Sequence, residues 1–85
     1  MSNQEHVVNE TFQKSIATLM EKGKKGELDT SKVHVTSPLI LSSNAGYYIG
    51  TWCVEFDHGE WAAFPNERLS DYGTLERMVE ALPHY

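Results

Sequence analysis

One cysteine in 85 residues leaves nothing for an internal disulfide. The expectation is a reduced, intracellular chain with Cys53 as a free thiol. No apolar run approaches the ~20 residues that a membrane-spanning helix needs. The start, Met1-Ser2-Asn3-Gln4-Glu5-His6, lacks the basic segment and apolar stretch of a signal peptide, and the expectation is a cytoplasmic protein. Close pairs of metal ligands are missing too. His34, Cys53, Asp57, His58 and Glu60 are the only candidates, and none form the Cys-x-x-Cys or His-x-x-x-His spacing of a zinc site. Gly23-Lys24-Lys25-Gly26 has neither the preceding strand nor the spacing of a phosphate loop. No metal and no cofactor are expected.

Positive charge is also scarce. Seven Lys and Arg face twelve Asp and Glu, a net charge of −5. The imbalance is confined to one half. Residues 1–32 hold five acids and five bases, whereas residues 33–85 hold seven acids against Arg68 and Arg77. An acidic half repels phosphate backbones and attracts basic surfaces. Direct nucleic-acid binding is therefore not expected. The Lys22, Lys24, Lys25 and Lys32 group reads as a helix end that favours positive charge.

What is present is a dense strand, turn and strand. Tyr47 to Phe56 is followed by Asp57-His58-Gly59-Glu60 and by Trp61 to Pro65, a stretch with both tryptophans and two of the three phenylalanines. His58-Gly59 suits a two-residue hairpin turn, because glycine accepts the left-handed conformation such turns demand. That turn would set Phe56 against Trp61, Val54 against Ala63 and Trp52 near Pro65. Alternation adds Tyr48 to this side, which reads as the core, with Trp52, Phe56 and Trp61 buried. Tyr47, Ile49, Thr51, Cys53, Glu55, Ala62 and Phe64 fall on the other side.

Before the hairpin, Val8, Phe12, Ile16, Leu19 and Met20 form one helical stripe. This predicts a helix over 4–23, opened by a Ser2–Glu5 capping box and frayed at Gly23 and Gly26. Residues 27–31 read as linker, and Val33-His34-Val35-Thr36 as a short strand or its lead-in, broken by Pro38. Leu39 to Ser42 is a strand, and Gly46 supplies the turn into the next. After a loop over 66–73, Thr74 is a good N-cap for a second helix carrying Leu75, Met78, Val79 and Leu82, stopped by Pro83. The expected fold is α+β, a single domain over 1–85: N-terminal helix, three-stranded antiparallel sheet, C-terminal helix, with both helices on one sheet face. The second face would stay open, with an acidic rim.

No catalytic constellation stands out, and the chain is not expected to be an enzyme. Cys53 with His34 or His58 could form a nucleophile and base, but a mid-strand cysteine lacks the electropositive setting that activates a thiol. Glu55 and Asp57 sit near an exposed tip, not in a cleft.

The order α-β-β-β-α resembles the double-stranded-RNA-binding domain in topology. The lysines that family uses at its last helix are replaced here by Gly73-Thr74-Leu75-Glu76-Arg77, so RNA binding does not carry over. Ser43 to Thr51, with Arg68 to Thr74, resembles small accessory proteins of phages and plasmids, among them anti-CRISPR and other anti-defence inhibitors. The resemblance implies a stoichiometric inhibitor in a bacterial host cell, a nucleic-acid mimic whose partner is a CRISPR effector or another nucleic-acid-binding complex with a basic surface. It transfers no functional residue. The expected partner surface is Tyr47, Ile49, Glu55, Asp57, Glu60, Phe64, Glu67 and Asp71. The alternative is a structural module, a homodimer joined through the open sheet face.

Overall fold

A computed structural model describes residues 3–85; the Ser2–Glu5 capping box lies outside the described residues. Helix α1 spans Asn3–Lys24. Its stripe of Val8, Phe12, Ile16, Leu19 and Met20 is half-buried throughout. Its C-terminus is capped, not frayed. The Gly26 N–H donates to the Gly23 carbonyl (3.0 Å) and the Glu27 N–H to the Lys22 carbonyl (2.9 Å), with Gly26 at φ +77°. That is the paired hydrogen bonding of a Schellman end, which needs a left-handed residue where Gly26 stands.

The sheet has four antiparallel strands where the sequence predicts three: β1 (His34–Val35), β2 (Leu39–Ser43), β3 (Gly46–Asp57) and β4 (Glu60–Arg68). The long β3 is central. One of its edges pairs with β2 over its first half and with β1 over its second. β1 and β2 thus act as one edge strand interrupted around Pro38, whose ring cannot donate to a ladder. Thr36 bridges the gap. Its N–H donates to the Trp52 carbonyl (2.8 Å), and its Oγ1 accepts the Trp52 N–H (3.1 Å).

The hairpin forms in the expected register, with Phe56 opposite Trp61, Val54 opposite Ala63 and Trp52 opposite Pro65. His58 and Gly59 both take positive φ, 51° and 82°, as the tight hairpin turn requires. The sequence ended this strand at Pro65, but β4 runs on to Arg68 across a bulge opposite Thr51 and Trp52. The chain then stays on the β3 edge: Leu69 N–H donates to the Ile49 carbonyl (2.8 Å), and Tyr47 and Gly73 exchange two backbone bonds. Helix α2 spans Leu75–Ala81, its Thr74 Oγ1 accepting the Arg77 N–H at 3.3 Å. Pro83 sits inside a final 3₁₀ turn, Leu82–His84.

The helices do not share a face. Phe12 of α1 meets Trp52 edge-on at 4.9 Å, and Gly23 lies against the Trp61 ring. Both tryptophans belong to the same alternating set as the fully buried Val54. Leu75 and Met78 of α2 pack instead on Ile40 and Ile49, which belong to the other set. The short return along the β3 edge through Gly73 carries α2 to the side away from α1. The two helices meet only round the β2 edge, where Val7, Val8, Pro38, Val79 and Leu82 line a shallow groove. The expectation of two helices on one face is therefore corrected.

Candidate functional site: the acidic sheet face

Alternation along β3 and β4 decides which side chains share a surface. On the α2 side β3 presents Tyr47, Ile49, Thr51, Cys53, Glu55 and Asp57. Through its register β4 adds Glu60, Ala62 and Phe64, then Glu67 beyond the bulge. β1 adds Val35, opposite Cys53.

Helix α2 covers only the first part of this face. Ile49 has no exposed surface, and Tyr47 is half-buried against the same cluster. Of these two expected partner residues, Ile49 is core and Tyr47 packs half-buried at the core's edge, because α2 lies on this side. Beyond α2's reach the face opens. Phe64 is 42% exposed and Val35 50% exposed. Glu60 and Glu67 are exposed, and Glu55 is half-buried beside them. Val35 was missing from the sequence-derived surface because nothing in the pattern fixed where β1 would pair.

Four carboxylates, Glu55, Asp57, Glu60 and Glu67, thus frame an apolar strip of Val35, Ala62 and Phe64 on one face. No Lys or Arg occupies a β3 or β4 position on this side. Among the described residues, Glu55, Glu60 and Glu67 form no ion pair, and Asp57 meets only His58, at 3.4 Å. Asp71 is separate. It lies in the loop and pairs with Arg68 at 3.7 Å, and Arg68 stands on the α1 side by its pairing with Gly50. Two lysines pair elsewhere: Lys14 meets Glu10 at 2.9 Å on α1, and Lys25, just past its end, meets Glu21 at 3.9 Å. Lys14 holds the Glu10 carboxyl below its ordinary range, by hydrogen bond first and by charge second.

The expected core side needs one correction. Phe56 is 40% exposed at the hairpin end, while Trp52 and Trp61 are half-buried beneath α1. At the tip the sheet outruns the helix.

The candidate chemical groups are not brought together. His34 pairs with Val54 and so stands on the α1 side, whereas Cys53 stands on the α2 side. His34 Nε2–H donates to the Asp29 carbonyl at 2.9 Å, and its ring lies 5.9 Å from Trp61. Burial, reinforced by the nearby Glu55 charge, pushes the Cys53 thiol above its ordinary 9.0, the opposite of activation. Among the described residues, no three His, Cys, Asp or Glu side chains gather closely enough to hold a metal ion. Among the described residues, no helix is long and apolar enough to cross a membrane. What the arrangement offers is a surface: apolar in the middle, negative around it, carried on rigid strands. No protein-family model, curated protein or solved structure matches this chain.

Proposed function

We propose that this chain is a non-enzymatic, acidic interaction protein that docks on a basic surface of a nucleic-acid-handling protein. In this reading it is a stoichiometric inhibitor of the anti-defence type, carried by a phage or mobile element. A CRISPR effector is one partner of the right character. One observation supports it most: Glu55, Asp57, Glu60 and Glu67 share a sheet face with exposed Phe64 and Val35, and no strand position on that face is a lysine or arginine. Such a surface speeds encounter with a cationic cradle through its field, and its apolar strip holds what the field brings in. The attraction weakens as salt rises, because exposed charges are screened over about 10 Å at 0.1 M.

The chain, immobilised and exposed to bacterial lysate at low salt, should retain a nucleic-acid-binding protein that duplex DNA displaces. The triple variant Glu55→Lys, Asp57→Lys, Glu60→Lys should retain none. Equal retention by the variant, or a captured protein indifferent to DNA, would sink this function.

A further inference from the structure

The outer edge of β4 is one of the sheet's two unpaired hydrogen-bonding rims, the other being that of β1 and β2. β4 pairs with β3 alone. The direction of its free groups follows from β3. Trp52 turns its backbone toward β1, as its two bonds with Thr36 show, and Ile49 turns its carbonyl toward the chain that follows β4. In an antiparallel ladder such residues alternate. Positions 53, 55 and 57 therefore bond to β4, and their partners Phe64, Ala62 and Glu60 are occupied. Trp61 and Ala63, and Pro65 with its carbonyl alone, point outward. Pro65 lies where its missing N–H breaks no ladder bond.

We infer that this edge accepts an added antiparallel strand from the partner, with its cationic side chains on the α2 side. The inference rests on the reading above and specifies its partner as an extended segment. Charge complementarity sets the pattern. Along β4 the α2-side positions run Glu60, Ala62 and Phe64, then Glu67 past the bulge, where Asn66 is held down by its 2.9 Å bond to the Thr51 hydroxyl. A strand laid alongside meets an acid, two apolar neighbours and another acid at every second residue. The matching segment is basic at its first and seventh residues and apolar at its third and fifth. Residues between them face the α1 side, opposite Trp61 and Ala63, and bond to the free backbone groups. Main-chain bonds of this kind hold the strand while alternate side chains select it.

The probe is the peptide Lys-Thr-Val-Thr-Val-Thr-Lys, read by amide shifts and hydrogen exchange of the full chain at low salt. The expected result is slowed exchange at the Trp61 and Ala63 amides. The same peptide N-methylated at its three threonines keeps both charges but loses the donors, and should bind at least about tenfold more weakly. Ala63→Pro removes an outward donor at an edge position and should cause a similar loss with the free-state spectrum otherwise preserved. If the N-methylated peptide binds as well as its parent, strand addition is overturned while charge-driven docking stands. No binding by the parent peptide at millimolar concentration also overturns it. A chain that sediments as a dimer alone, and as a monomer when Ala63→Pro, has a second copy on this edge and overturns it as well. Should Ala63→Pro not fold, the two peptides decide.

Discussion

The two faces of the sheet are built from the same alternating strands yet are covered very differently. On one side a helix of 22 residues lies along the sheet from Trp52 to Trp61. On the other a helix of seven residues covers Ile40 and Ile49 and stops. Where the long helix lies, the strand side chains are aromatic and aliphatic. Where the short one gives out, they turn acidic around a few apolar groups. The difference teaches that this small domain buries one face beneath α1 and the Ile40–Ile49 part of the other beneath α2, and leaves Val35, Glu60, Phe64 and Glu67 exposed.

Truncation should separate covered from open positions most strongly. Ile49→Ala removes a side chain with no exposed surface and should cost about 3 kcal/mol in urea unfolding. Phe64→Ala, on the same face but beyond α2, should cost less than about 1 kcal/mol. Similar losses at the two sites would mean the open region is covered after all.

Gly23→Ala probes the long helix. An alanine normally gains about 1 kcal/mol over glycine inside a helix. Here its Cβ would stand 2.6 Å from the Trp61 ring, so a net loss of about 1 kcal/mol is expected with red-shifted tryptophan emission. A gain in stability would show that α1 does not sit close on β4.

The smallest effect is at Cys53. Its thiol, pushed up by burial and by Glu55, stays protonated where an unfolded thiol ionises. The folded chain should therefore react with iodoacetamide more slowly than the urea-unfolded chain at pH 8. The Cys53 contribution to stability should be constant from neutral pH up to 9.0, the ordinary value, and should decline above it, because the unfolded state loses its proton first. Equal alkylation rates would place Cys53 in open solvent.

The hairpin was legible because two local signals agree: a period-2 pattern and His58-Gly59 at the one point where left-handed residues are needed. Thr74 was legible for the same reason, a side chain capping its own helix. The faces were not. Whether Ile49 is buried depends on where α2 lands, and that is set by backbone bonds between Gly73 and Tyr47 that no side-chain pattern records. β1 was legible only as a short strand or its lead-in, because two residues show no period to fix their pairing with Cys53 and Val54. Of the expected surface, Glu55, Asp57, Glu60, Phe64 and Glu67 share one face, Ile49 belongs to the core with Tyr47 half-buried against it, and Asp71 lies apart with Arg68.

Both tryptophans stand beneath α1, and neither touches the Ile40–Ile49–Leu75–Met78 cluster. Intrinsic emission therefore watches one helix come off and is blind to the other. If the C-terminal segment detaches early on heating, the optical melt will miss it, and a midpoint read from fluorescence will overstate how long the whole molecule holds.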